Sequence, residues 1–260
     1  MNWLNTLAGF GVGAIVGVTG VGGGALMTPI LVLLFGVAPA SAVGTDLWFA
    51  AISKICGGVV HHSKGSVDWQ VVRRLCLGSL PTAIITLLWL HFSGGSQVKQ
   101  GLILNALGGV LLLTALAMLF KKQMHAFGQD LRSTAAEAFK RTQPGLTVLA
   151  GAILGFLVTL TSVGAGALGA VMLVYLYPFR MKPARLVGTD IVHAIPLTIV
   201  AGTGHLVMGN VDFVLLGSLL LGSIPGILLG SMLGSRAPER LLRVAIAILL
   251  VAVGVKLVLA

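Results

Sequence analysis

The stretch Pro39-Ala40-Ser41-Ala42-Val43-Gly44-Thr45-Asp46 returns 144 positions later as Pro183-Ala184-Arg185-Leu186-Val187-Gly188-Thr189-Asp190. The same offset sets His61 on His205, Gly65-Ser66-Val67-Asp68 on Gly209-Asn210-Val211-Asp212, and Gly78-Ser79-Leu80-Pro81 on Gly222-Ser223-Ile224-Pro225. Two residues of slip bring Thr19-Gly20-Val21-Gly22-Gly23-Gly24-Ala25-Leu26 onto Thr161-Ser162-Val163-Gly164-Ala165-Gly166-Ala167-Leu168. Apolar composition alone does not align prolines, glycines and aspartates in this order, so the chain is a tandem duplication. Each copy runs from a glycine-rich segment through three further apolar spans. Residues 1–120 form the first repeat, 121–144 a polar linker with a short surface helix expected around 135–139, and 145–260 the second repeat.

The 260 residues are 57% hydrophobic and only 9% charged, and the mean hydropathy is +1.02. A soluble domain carries roughly 25% charged residues, so this chain lacks the polar surface to face water on all sides. At about 20 apolar residues per helical span it has room for about eight to ten membrane-embedded segments. The net charge of +10 resides between the apolar runs and not among exposed aromatics, which reads as a topology signal and excludes nucleic acid as a partner. The first apolar stretch carries no small-residue cleavage site and repeats in mid-chain, so it is expected to stay in the mature protein. Cys56 and Cys76 have neither CxxC spacing nor clustered histidines, and point to neither a disulfide framework nor a metal site.

The opening segments, residues 3–36 and 146–178, are too long for one straight crossing, because 34 residues at 1.5 Å each span roughly 50 Å against a core of about 30 Å. Glycines at their centres favour a break into two half-helices. If both broken segments cross the bilayer, Lys and Arg divide almost evenly between its faces. If each dips in and returns as a re-entrant hairpin, Lys64, Arg73, Arg74, Lys121, Lys122, Arg132, Lys140, Arg141, Arg180, Lys182, Arg185, Arg236, Arg240 and Arg243 share one face. Lys99 and Lys256 then lie opposite, with Lys54 inside a span. The positive-inside rule makes the crowded face, linker included, cytoplasmic. Three full crossings per repeat turn the second repeat upside down. The fold expected is therefore an all-α polytopic membrane protein of two inverted-topology repeats, each a broken Gly-rich re-entrant segment plus three transmembrane helices.

Irregular backbone at membrane depth survives only where protein or a wet cavity surrounds it. Two hairpin tips meeting near the midplane would aim half-helix N-termini at a common point suited to a small anion. Thr19, Gly22, Gly23, Gly24, Thr161, Ser162, Gly164 and Gly166 are the candidate substrate-binding residues, joined by Thr45 and Thr189 at the start of the following spans. Close helix packing is the competing reading of the glycines. Asp46 and Asp190 fall about two turns inside spans, where a carboxylate is expensive enough to suggest function, and with His193 they are candidates for proton coupling. Capping or an interfacial role is the alternative for the aspartates, as interfacial packing is for His61 and His205. Asp68 and Asp212, each just before an aromatic residue, read as helix N-caps.

In order and duplication, Gly20-Val21-Gly22-Gly23-Gly24 with Pro29, the segment Pro39 to Thr45, Gly65-x-Val67-Asp68, Gly78-x-x-Pro81 and their second-half echoes resemble the sulfite exporter TauE/SafE family over nearly the whole chain. Two positions depart from its pattern: Asp46 stands where a small polar residue is more usual, and Ala165 replaces a third glycine. The resemblance implies secondary active export of sulfite or an organosulfonate across the bacterial cytoplasmic (inner) membrane, with the proton gradient as the expected drive. An anion channel uses the same donors and stays open as an alternative, as does a membrane-embedded enzyme, although no acid–base pair suited to catalysis lies at membrane depth. No GxxxxGK[ST] phosphate loop supports an ATP-driven pump. No catalytic residue, metal or cofactor is called for. The expected partners are the small anion and the lipid bilayer, with a homodimer left open.

Overall fold

A computed structural model of the protein describes residues 3–19, 24–63, 65–93, 96–134, 136–234 and 239–259. Among them all regular structure is helical: α1 (Trp3–Thr19), α2 (Gly24–Leu33), α3 (Pro39–Ser63), α4 (Trp69–Phe92), α5 (Ser96–Thr134), α6 (Ala136–Thr161), α7 (Ala167–Leu176), α8 (Pro183–Val207), α9 (Phe213–Gly234) and α10 (Glu239–Leu259). The repeat is legible in this order, since α1 to α5 recur as α6 to α10. Pro39 and Pro183 open α3 and α8, the first-turn position where a missing N–H costs nothing. Asp68 Oδ1 accepts from Val71 N at 3.4 Å and Asp212 Oδ1 from Leu215 N at 2.9 Å, so both aspartates cap the helices that follow, as their positions suggested. Gly65 (φ 62°) and Gly209 (φ 76°) occupy left-handed backbone just before those caps.

Among the described residues six helices, α3, α4, α5, α6, α8 and α9, are long and apolar enough to cross a bilayer. The set includes α6, the first arm of the second broken segment, because the linker is helical and runs into it from Ala136. Its repeat counterpart α1 has 17 residues. Residues 121–134 likewise continue α5. The polar linker thus consists of two helix extensions, longer than the short surface helix that its composition suggested.

Helices pack in pairs related by exchange of the repeats. α1 runs alongside α9 in the same direction, with Gly9 against Leu219 O and Gly13 against Ser223 O. α6 runs alongside α4 in the same way, with Gly151 against Leu75 O and Gly155 against Ser79 O. A Cβ added at these glycines would fall between 2.2 and 2.5 Å from the facing carbonyl oxygen, so small residues set these helix separations. α3 and α8 are repeat counterparts and meet each other in opposite directions, with Gly202 on Trp48 and Gly58 on Ile195 and Val192. α5 and α10 do the same, since Gly108 meets Val258 and Leu112 meets Gly254. Large apolar side chains such as Leu77, Ile85, Leu221 and Leu229 face outward, the arrangement of a protein whose solvent is lipid.

Candidate functional site

The break between α6 and α7, residues 162–166, is buried apart from the partly exposed Gly166. Ser162 has φ 59°, Gly164 φ 124° and Gly166 φ 130°; the last two are conformations that glycine alone adopts cheaply. Thr161 stabilises the turn from inside, accepting from Val163 N at 3.1 Å and donating to Leu157 O at 2.7 Å. Its hydroxyl is spent on the backbone. The corresponding tip of the first repeat, with Gly22 and Gly23, lies outside the described residues, and of Thr19 and Gly24 only the backbone is described, as the end of α1 and the start of α2.

Asp46 and Asp190, the candidates for proton coupling, are both buried, at 0% and 5% exposure. Thr28 Oγ1 on α2 donates to Asp46 Oδ2 at 2.6 Å, and Ser162 from the other repeat lies beside the same carboxylate. Asp46 Oδ1 and Ser162 Oγ have no hydrogen-bond partner. Asp190 lies beside the Gly166 N–H at the start of α7, and its Oδ1 is also without a partner. Gly169 makes room for it, because a Cβ there would lie 2.3 Å from that oxygen. The N-terminal end of α7, expected to face a bound anion, thus has the protein's own carboxylate beside it.

Lys54, 8% exposed, completes the cluster. Its Nζ donates to Ala165 O at 3.3 Å, and both carboxylates lie within its electrostatic reach. A buried cation beside two buried carboxylates is tolerated where charge is mutually compensated. His193, fully buried, bonds through Nε2 to Ser79 Oγ at 2.9 Å while its Nδ1 has no partner. His205 is likewise buried, with Nε2 2.9 Å from Thr159 O; His61 sits at a helix end, 2.9 Å from Ser66 Oγ.

Not every sequence candidate faces the cluster. Thr45 Oγ1 accepts from Asp212 N at 3.1 Å and Thr189 Oγ1 from Asp68 N at 3.0 Å. These two reciprocal bonds bind the start of each inward span to the turn of the other repeat. Lys54 carried a readable signal as the one basic residue placed within a span. Thr28 and Ser79 carried none, since a hydroxyl in an apolar helix most often bonds its own backbone. The centre is not symmetric: 144 positions from Lys54 stands Thr198, and 144 before His193 stands Phe49. Among the described residues no group of three or more His, Cys, Asp or Glu is placed to hold a metal.

The sequence matches the family described as Sulfite exporter TauE/SafE over residues 5–257. It is 40% identical over 254 residues to the probable membrane transporter protein YjnA of Bacillus subtilis, covering 97% of this chain and 98% of that one. The probable membrane transporter protein MJ0441 of Methanocaldococcus jannaschii is 30% identical over 204 residues, 75% of this chain and 68% of that one. YdhB of Bacillus subtilis, also a probable membrane transporter protein, is 26% identical over 215 residues, 80% of each. No solved structure matches the chain. A family match across nearly its full length and a close relative of the same extent establish that this multi-pass helical protein belongs to the sulfite exporter TauE/SafE family of membrane transporters.

Proposed function

We propose that the protein is a secondary active transporter that exports a small sulfur-containing anion, sulfite or an organosulfonate, across the bacterial cytoplasmic membrane, with transport coupled to the proton gradient. The observation that carries the reading is the buried cluster, in which Asp46 accepts from Thr28 on α2 and Asp190 lies beside the start of α7, both within electrostatic reach of Lys54. A carboxylate held at a half-helix N-terminus is a stand-in for an anionic ligand. Protonation of Asp46 or Asp190 withdraws that negative charge and leaves the Thr28 and Ser162 hydroxyls, the Gly166 N–H and Lys54 to an incoming oxyanion. Loss of the proton restores the carboxylate and expels the anion. Carboxylate and substrate then compete over one set of donors, so uptake of a proton and binding of the anion are linked, and Lys54 supplies the positive charge that an anion requires.

Inverted repeats fit the opposed directions of α3 with α8 and of α5 with α10, since counterpart helices oppose one another only when each repeat makes an odd number of crossings. That supports re-entrant segments in both repeats. Gly164, Gly166 and Ser162 then line the substrate path, and the threonines Thr45 and Thr189 hold the two inward spans in place around it.

Charge movement in proteoliposomes on a solid-supported membrane tests the proposal, with sulfite, thiosulfate, sulfoacetate, taurine, phosphate and chloride applied at two pH values, and tracer flux run in parallel. A saturable response to sulfur oxyanions, driven uphill by an imposed pH gradient and lost in Asp46→Asn/Asp190→Asn, is the expected result. Uphill flux of the same anion in that double variant removes the aspartates from coupling. Flux that is downhill only makes the protein a channel.

A further inference from the structure

We propose that a cleft remote from the central cluster, between the linker, the start of α4 and the turn joining α7 to α8, binds a phosphate group, either of a soluble phosphorylated anion or of an acidic phospholipid. The cleft has a volume of about 340 Å³ and is lined by Gln70, Arg74, Arg132, Lys140, Gln143 and Arg180. Four cations converge on it, and no carboxylate lines it among the described residues. Two of the four are already engaged. Arg180 forms a two-pronged pair with Asp68, 2.6 and 2.7 Å, and reaches Gln70 Oε1 at 2.9 Å. Arg74 Nη1 donates to Tyr177 Oη at 3.2 Å.

The other two carry the inference. Arg132 rests its guanidinium over Phe139, 6.0 Å from the ring centre, and its Nη1 is buried with no hydrogen-bond partner. A buried guanidinium nitrogen left without an acceptor is costly in any folded protein, and an oxyanion in the cleft supplies the acceptor. Lys140 is exposed and forms no ion pair among the described residues. A planar guanidinium beside a mobile ammonium suits a tetrahedral oxyanion, the first gripping two oxygens and the second supplying point charge. Phe179, which also lines the cleft, and the nearby Trp69 are 66% and 51% exposed. Exposed aromatics beside basic residues mark the level of lipid headgroups, where a phosphate is always at hand. The linker extensions of α5 and α6 supply Arg132 and Lys140, so ligand at this point clamps the junction between the repeats.

The site is independent of the transport reading and its test needs no flux. The full-length protein is placed in phosphatidylcholine nanodiscs, and the acetylation rate of Lys140 by an amine-reactive reagent is followed by mass spectrometry. In one arm inorganic phosphate is titrated in; in the other, phosphatidylglycerol replaces part of the phosphatidylcholine. Protection of Lys140 by fivefold or more in a saturable manner, with Lys256 unchanged, is the expected result, and the arm that produces it identifies the source of the phosphate. The same titration read as binding should weaken at least tenfold in Arg132→Gln/Lys140→Gln and persist in the charge-retaining Arg132→Lys/Lys140→Arg. Absence of protection in both arms, or protection of Lys256 to the same extent, overturns the proposal. Undiminished binding by a folded Arg132→Gln/Lys140→Gln variant does so as well.

Discussion

Lys54 Nζ reaches across 111 residues of sequence to the carbonyl oxygen of Ala165, so a cation from the first repeat closes the broken turn of the second. The same ammonium balances Asp46 and Asp190. Replacing it with methionine leaves two buried carboxylates uncompensated, and loss of one partner of a buried ionic cluster costs about 3–5 kcal/mol. Lys54→Met should therefore unfold at markedly lower denaturant in detergent. Combining it with Asp46→Asn and Asp190→Asn should recover most of that stability while leaving transport absent. A triple variant no more stable than Lys54→Met would show that the lysine does not compensate the carboxylates.

The reciprocal bonds from Asp212 N to Thr45 and from Asp68 N to Thr189 have nearly equal lengths, 3.1 and 3.0 Å. Both threonines are fully buried. Thr45→Val and Thr189→Val are nearly isosteric and each orphan one backbone donor, which costs about 1–3 kcal/mol. The two losses in unfolding free energy should agree within about 1 kcal/mol. A neutral result at one site and a large loss at the other would mean that the repeats are not held by equivalent joints.

Helix separation gives a third expectation. A methyl group at Gly78 or Gly222 would sit 1.9 Å from a facing backbone oxygen, of Val148 and Thr6 respectively, whereas nothing lies within 4 Å of one at Gly101. Overpacking of this kind costs about 1–3 kcal/mol or more. Gly78→Ala and Gly222→Ala should both destabilise the protein, and Gly101→Ala should be neutral or stabilising by up to about 1 kcal/mol because helix propensity improves. Thermal aggregation of the three variants in one detergent ranks them.

Orientation is open to direct labelling. In a background with Cys56 and Cys76 replaced by serine, Lys256→Cys should react with an impermeant maleimide in intact right-side-out vesicles, and Lys140→Cys only after lysis. Re-entrant segments put the two positions on opposite faces; straight crossings by both broken segments put them on the same one. Reaction of both before lysis would remove the re-entrant reading.

How much of this was open to sequence reading depended on whether the signal was periodic or positional. The duplication, the helical class and the caps at Asp68 and Asp212 were readable because proline, glycine and aspartate recur at fixed spacing and their backbone roles are local. The extent of helix in the linker was not readable, since polar composition distinguishes exposed chain from lipid-embedded helix but not from a polar helix continuous with an apolar one, as α5 is to Thr134. At the site, Asp46 and Asp190 declared themselves by the cost of their charge at depth. Thr28 did not, because only the fold shows that its hydroxyl leaves the helix for Asp46 Oδ2. Thr45 and Thr189 share a motif with the aspartates, yet adjacent residues on a helix point about 100° apart, and the hydroxyls turn to the neighbouring repeat.

The unequal contributions of the two halves to the centre have an evolutionary reading. Lys54 has Thr198 as its counterpart, while Asp46 and Asp190 match. Two identical half-length chains assembled about a dyad carry either no lysine at that dyad or two, so their central charge changes only in even steps. Joining the halves into one polypeptide lifts that parity rule. One cation against two carboxylates is an odd balance, short by a single proton, and it is closed to a symmetric pair of identical halves.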